Sequence, residues 1–196
     1  MNKNQDNCNL ILKKWSDRSI NLIESMTLLR GLTLSNYKDK FPVHEHYRTS
    51  CFMTSEIFNL EFKVYFTTEN AMVFCQKNSH LASEFLSLSY IIDFTKELTN
   101  LVVGSIKHDF ENLDVKSVLS FPMQIRSFDE LFIKKNLSGK SKINLIDYYE
   151  VFWRVNYDSS YIVISICLEI TNPTEFYKLN FNLIKSDIHL GEFEYL

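Results

Sequence analysis

The order in which helical and strand patterns follow one another is the feature that most limits the fold of this chain. From Leu10 to about Arg30, apolar residues recur at spacings of three to five, which is typical of a long amphipathic helix. Residues 47–54 and 57–67 are rich in aromatic and β-branched residues, as strands are. Helical patterns return between residues 71 and 112, and strand patterns follow. This order indicates an α+β fold and not a doubly wound parallel sheet.

The second half of the chain adds several strand candidates. Residues 115–125 contain Pro122, which favours an edge, a bulge or a bend at that point. Residues 149–157 and 161–171 predict a hairpin, because apolar side chains alternate along the second of them. The rest of this half consists of an irregular excursion at 128–146 and a weak strand pattern at 177–184. We therefore expect two long helices packed on a mixed, largely antiparallel sheet of about six strands.

Length and charge limit the organisation of the protein and its partners. With 196 residues and 45% hydrophobic content, the chain can bury one sizeable core, so we expect a single domain over residues 1–196. Its core would span about 10–172, with 173–196 as a C-terminal extension. The net charge of −3 gives no electrostatic case for a nucleic acid or an anionic membrane as partner. Since no stretch of about 18 apolar residues and no signal peptide is evident, the sequence predicts a soluble cytoplasmic protein.

The sequence offers few ligands for a metal or a cofactor. The four cysteines are widely separated and form no zinc-binding pattern, and four glycines in 196 residues speak against a phosphate-binding loop. His44 and His46 flank Glu45 and could suggest a metal site, but solvated or capping histidines are the favoured interpretation. We expect neither a metal site nor a cofactor in this chain.

A polar stripe on the helix that follows residue 87 is the strongest candidate for a functional site. Asp93, Glu97, Asn100 and Gly104 are spaced at i, i+4, i+7 and i+11, so they share one helix face. The residues predicted to face a core on the opposite side are Phe94, Leu98, Leu101 and Val102. An ordinary solvated helix face would show the same pattern. For Gly104, close packing between helices and access for a partner are equally good explanations.

The stripe, followed by a strand with a proline, resembles the signature of the CheC/CheX-type phosphatases of bacterial chemotaxis. The matching positions are Asp93, Glu97, Asn100, Gly104 and the segment Ser117 to Pro122, and the first helix resembles the opening helix of the CheX branch. About two-thirds of the chain, from roughly Leu10 to Phe128, can be aligned in order. The resemblance implies a CheX-like fold and hydrolysis of the phosphoaspartate on a phosphorylated CheY-type receiver domain.

The resemblance also implies a role for each residue of the stripe. Asn100 would orient the attacking water, because a carboxamide brings no negative charge towards the phosphoryl oxygens. Glu97 would contact a lysine of the receiver and fix the docking geometry. Asp93 and Gly104 would support the site. The divalent metal would belong to the receiver, and members of the CheX branch pair as homodimers, so a homodimer is expected from the resemblance.

Two other functions are compatible with the sequence. One is a non-catalytic CheX-like module that binds a receiver or a flagellar or signalling partner, because 128–146 and the C-terminal tail are longer than in a minimal CheX domain. The other is a structural domain with no receiver partner, which would require that Glu97 and Asn100 are buried.

Overall fold

The computed structural model describes residues 3–37, 47–79, 86–126 and 147–184. Its helices are α1 (Lys3–Thr27), α2 (Thr68–Ser79), α3 (Leu88–Glu111) and the short α4 (Pro173–Phe176), which is followed by a 3-10 turn at Phe181–Leu183. Its strands are β1 (Thr33–Asn36), β2 (Tyr47–Thr54), β3 (Phe58–Phe66), β4 (Val118–Leu119), β5 (Met123–Arg126), β6 (Asp147–Tyr157) and β7 (Ser160–Ile170). The predicted α+β class is confirmed.

The strands form one sheet in the order β1, β6, β7, β3, β2, and all the described pairings are antiparallel. Both β4 and β5 pair with β2 along its outer edge, Val118 opposite Thr54 and Met123 opposite Ser50. They are therefore two halves of one edge strand, interrupted at the segment that contains Pro122. Proline lacks the backbone N–H that a ladder needs, which explains the break, and the edge position is one of the alternatives that the sequence indicated for Pro122.

The long helices lie on one face of this sheet and enclose the core. Alternate side chains of β3, from Phe58 to Phe66, are buried against them. The Phe58 ring stacks on Phe110 of α3, with 4.1 Å between ring centroids, and Trp15 of α1 contacts the same phenylalanine at 5.7 Å. The central sheet and the two long helices thus share one apolar core.

Local sequence sets both ends of α3. Ser87 is the N-cap, and its hydroxyl accepts a hydrogen bond from the Tyr90 N–H at 3.2 Å. After Glu111 the chain turns, and Asp114 takes a left-handed conformation with φ of 59°. Aspartate tolerates this conformation better than most residues. The predicted end near Asn112 is confirmed, since Asn112 is the C-cap.

The strand predicted from the weak pattern at 177–184 is not formed, so this prediction is wrong. Instead, Asn172 caps α4 by accepting from the Glu175 N–H at 3.3 Å, and Asn180 accepts from the Asn182 N–H at 3.3 Å. Such local side-chain bonds compete with a strand ladder. Phe176, Phe181 and Ile184 are buried, so this first part of the C-terminal extension packs on the core.

One further difference concerns a shorter element. The four-residue strand β1 was not expected, because TLSN is too short and too polar to show an alternating pattern. The excursion at 128–146, His44, His46 and the tail beyond Ile184 lie outside the described residues.

Candidate functional site

The polar stripe lies on the outer face of α3. Asp93, Glu97 and Asn100 are exposed, and Gly104 is half-buried. At 1.5 Å per residue the stripe extends over about 16 Å along the helix axis. The opposite face carries Phe94, Leu98 and Val102, which are buried as expected, whereas Leu101 is half-buried. The helix is therefore anchored on one side and open to solvent on the other.

The exposed side chains of the stripe have no described partner within the chain. Across residues 3–37, 47–79, 86–126 and 147–184, no hydrogen bond or ion pair involves the side chains of Asp93, Glu97 or Asn100. Cβ atoms at i and i+3 on a helix lie about 5–6 Å apart. Glu97 and Asn100 can therefore contact two groups of one partner at the same time.

The C-terminal continuation of the stripe is more strongly tied to the helix itself. Lys107 Nζ lies 3.1 Å from Glu111 Oε1, and His108 Nδ1 lies 3.9 Å from Glu111 Oε2. These are exposed pairs within one helix turn, and such pairs contribute little to stability. Free polar groups are thus concentrated between Asp93 and Asn100.

Steric contacts within the described chain do not require a glycine at position 104. A Cβ atom built there would have no heavy atom within 4 Å. Glycine inside a helix costs about 1 kcal/mol relative to alanine. Packing against another part of the described chain therefore does not explain Gly104, and access for a partner stays a prediction.

Hydrogen bonds between hydroxyl groups fix the inner face of α3 to β2. Thr49 Oγ1 lies 3.0 Å from Thr99 Oγ1 and 3.3 Å from the Thr95 carbonyl oxygen. The Thr99 hydroxyl donates to the same carbonyl at 2.6 Å. All three threonines are buried. We refer to Thr49, Thr95 and Thr99 as the threonine clamp.

A buried ion pair fixes α3 to α1. Arg18 Nη1 donates to Asp109 Oδ2 and, at 3.3 Å, to the Ser105 carbonyl oxygen. Trp15 Nε1 donates to the same carboxylate oxygen at 3.1 Å. Burial raises the pKa of Asp109 above its usual value, although Arg18 and Trp15 act in the opposite direction. Because both charges are buried, the pair requires a defined position of α1 against α3.

Sequence reasoning did not find these inner anchors. Thr95 and Thr99 do carry a signal, since two hydroxyl side chains spaced i, i+4 interrupt the apolar face of the helix. Nothing in the sequence identifies Thr49 as their partner across 46 residues. Only the packing of α3 on β2 brings the three side chains together.

The stripe is a convex helix surface, and a cavity formed by other described residues lies elsewhere. A cavity of about 740 Å³ is formed near the C-terminal end of α3 by residues 54–57, residues 113–118, Glu175 and Leu179. Neither Glu97 nor Asn100 contributes to it. An exposed face about 16 Å long suits a macromolecular partner better than a small substrate, which proteins usually bind in a concave pocket.

The described chain shows neither a metal cluster nor a membrane-spanning helix. Within the described ranges, no three His, Cys, Asp or Glu side chains are arranged to hold a metal ion. None of the helices in those ranges is long and apolar enough to cross a membrane.

Comparison with known proteins identifies the fold. No protein-family model matches the sequence, and no curated protein matches it. A chemotactic CheC-like protein from Shewanella oneidensis MR-1 matches with a TM-score of 0.58 and 14% identity over 80% of this chain and 96% of that one. The CheX–CheY–BeF3–Mg2+ complex from Borrelia burgdorferi contains a chain that matches with a TM-score of 0.54 and 10% identity, over 81% and 96% of the two chains.

A third solved structure extends the likeness to a complex of two other proteins. A chain of the FliG–FliM complex from H. pylori matches with a TM-score of 0.50 and 9% identity, over 86% of this chain and 94% of that one. At these identities the similarity establishes the fold. This chain has the CheC/CheX-like fold, so the resemblance drawn from the sequence is confirmed at that level.

Proposed function

We propose that this CheC/CheX-like chain dephosphorylates the phosphoaspartate of a CheY-type receiver domain in chemotaxis or two-component signalling. The observation that carries the proposal is the exposure of Glu97 and Asn100 on one face of a firmly anchored helix. Supporting it are the signature residues Asp93, Glu97, Asn100 and Gly104 and the similarity to the CheX chain that was solved together with CheY.

In this proposal Asn100 orients the water that attacks the phosphorus. The carboxamide oxygen accepts a hydrogen bond from the water, and the amide group donates one to a phosphoryl oxygen. Water adds in line as the bond to the aspartyl oxygen breaks, which yields inorganic phosphate and the free aspartate. An acyl phosphate is already reactive, so the positioning of water can supply much of the acceleration.

Glu97 would orient the receiver rather than take part in the chemistry. Its carboxylate, one turn before Asn100, can bind a lysine near the phosphorylation site through a charge-assisted hydrogen bond. Asp93 and Gly104 support the surface, Asp93 as a further polar contact and Gly104 by the close approach that a missing side chain permits. The divalent ion of the reaction is assigned to the receiver, and this chain is assigned no cofactor.

The test measures phosphate release from a CheY-type receiver phosphorylated with a small-molecule phosphodonor. We expect Asn100→Ala to lower the rate about 100-fold, the size of effect that loss of positioning produces. Glu97→Ala should raise KM more than it lowers kcat. Asn21→Ala is the matched control, because Asn21 is an exposed amide on α1. If Asn100→Ala releases phosphate as fast as the wild type, the proposed mechanism is wrong.

A second candidate is a module that binds its partner without catalysis. It is favoured by the likeness to a chain of the FliG–FliM complex, whose name indicates a protein–protein assembly. The same assay separates the two candidates. Binding to a receiver that carries BeF3 in place of the phosphoryl group, together with no acceleration of phosphate loss from the phosphorylated receiver, would support the module. A homodimer, which the resemblance suggests, is tested by light scattering of the full chain.

A further inference from the structure

The threonine clamp lies directly beneath the catalytic pair of the proposed phosphatase. Thr95 lies two residues before Glu97, and Thr99 lies two residues after it. Asn100 is the next residue after Thr99. With about 100° of rotation per residue, the two threonines point to the sheet while Glu97 and Asn100 point to solvent. The clamp and the pair therefore belong to the same two turns of α3.

The hydrogen bonds of the clamp form a directed chain. Because the Thr99 hydroxyl donates its proton to the Thr95 carbonyl oxygen at 2.6 Å, Thr99 Oγ1 is left as an acceptor for Thr49 at 3.0 Å. Thr49 also lies 3.3 Å from the Thr95 carbonyl oxygen. These contacts join β2, the strand that lies under α3, to one defined turn of the helix.

Such directional contacts fix the rotation of α3 about its own axis, which apolar packing alone leaves adjustable. Burial of apolar area is non-directional, so it holds α3 on the sheet without setting a unique rotation about the helix axis. A side chain lies about 5–6 Å from the axis, so a rotation of about 10° moves it by about 1 Å. A displacement of about 1 Å can lower an enzymatic rate about 100-fold. The rotation of α3 therefore matters for Asn100.

We propose that Thr49 is a positioning residue, which acts through Thr99 to set the rotation of α3 and with it the direction of Asn100. The Arg18 contacts with Ser105 and Asp109 form a second fixed point further along the helix. Two fixed points about ten residues apart, on the sheet and on α1, define the orientation of the segment that carries Glu97 and Asn100. This inference rests on the proposed phosphatase function.

The experiment compares isosteric and conservative replacements of Thr49 in the phosphate-release assay. Thr49→Val keeps the shape and removes the hydroxyl, and we expect kcat to fall about tenfold with KM within twofold of the wild type. Thr49→Ser keeps the hydroxyl and should restore kcat to within about threefold of the wild type. A purely structural role would not divide kcat from KM in this way.

Ile162→Val controls for a general loss of stability. Ile162 is buried in β7, a strand that does not carry the clamp, and its replacement leaves every residue of the clamp in place. We expect this variant to keep the kcat of the wild type. The inference is overturned if Thr49→Val keeps kcat within twofold of the wild type while Asn100→Ala is inactive. It is also overturned if Ile162→Val lowers kcat as much as Thr49→Val does.

Failure of the proposed function would look different. If Asn100→Ala itself keeps the activity of the wild type, the catalytic role of the stripe is wrong, and the positioning role of Thr49 is wrong with it.

Discussion

The two long helices carry polar residues at the same spacing but use them differently. Asp17, Asn21 and Glu24 of α1 and Leu28 just after it are spaced at i, i+4, i+7 and i+11, like Asp93, Glu97, Asn100 and Gly104 of α3. In α1 the acid at i+7, Glu24, already forms hydrogen bonds within the chain. Glu24 Oε1 accepts hydrogen bonds from the backbone N–H groups of Gly31 at 2.9 Å and Leu32 at 3.1 Å. In α3 the corresponding side chains have no described partner.

The last position of each stripe shows the difference most clearly. Leu28 follows the end of α1 in a left-handed conformation, φ 58°, where glycine is the favoured residue. Gly104 lies inside α3, where alanine is the favoured residue. The glycine is thus absent where local structure favours it and present where local structure does not. Glu24 of α1 thus bonds the turn that leads to β1, and among the described residues the stripe of α3 has no equivalent contact.

The largest effect on stability is expected where the two helices meet. Asp109→Ala leaves the buried Arg18 guanidinium without its main charge partner, which typically costs about 3–5 kcal/mol of the free energy of unfolding. Asp93→Ala, on the exposed stripe, should change it by less than about 0.5 kcal/mol. Urea unfolding monitored by circular dichroism measures both. Equal effects of the two variants would contradict the contrast between the inner and outer faces of α3.

A smaller effect on the free energy of unfolding is expected to distinguish Glu24 of α1 from Glu97 of α3. Glu24→Ala should lower the free energy of unfolding by about 1–2 kcal/mol, because two backbone N–H groups lose a charged acceptor. Glu97→Ala should leave it within about 0.5 kcal/mol of the wild type. Glu24→Gln is the matched variant, since it keeps an acceptor and should lose less. A stability loss in Glu97→Ala as large as in Glu24→Ala would remove the distinction.

Leu28→Gly is expected to stabilise the protein by about 1 kcal/mol. Glycine adopts positive φ without a steric cost, and because Leu28 is 55% exposed we expect this gain to exceed the loss of the remaining apolar burial. The midpoint of thermal unfolding measures the change. An unchanged or lower midpoint would show that the Leu28 side chain contributes contacts that outweigh its conformation.

Gly104→Ala gives the smallest and most informative change. The added methyl group has open space, so the free energy of unfolding should rise by about 0.5–1 kcal/mol through helix propensity. If a receiver approaches closely at this position, kcat/KM for phosphate release falls at the same time. A variant that is more stable and equally active would show that Gly104 does not contact the partner.

Local sequence was sufficient for much of the fold. Periodicity predicted the α3 region, the β2–β3 pair and the β6–β7 hairpin, because each is long enough to show a repeating pattern of side chains. Pro122 correctly indicated an edge of the sheet as one of its alternatives. The segments that failed depend on non-local or capping contacts, namely β1 against β6, and the turns after Asn172 and Asn180.

The candidate site was predictable to a similar extent. A helical repeat fixes which residues share a face, so the common face of Asp93, Glu97 and Asn100 follows from the sequence. Which face meets solvent also follows from the apolar residues opposite. Their catalytic and docking roles stay predictions for the assays described above.

By itself, the sequence determined the class of the fold and the composition of the stripe, since both depend on patterns repeated every two to four residues. Tertiary structure decided the rest. It assigned Glu24 to a turn and left Glu97 without a partner among the described residues, although the two acids occupy stripes of the same spacing. It also brought Thr49 beneath Thr99, and Arg18 against Asp109. The physical reason is that contacts between residues far apart in sequence depend on how helices pack on the sheet, which no local repeat encodes.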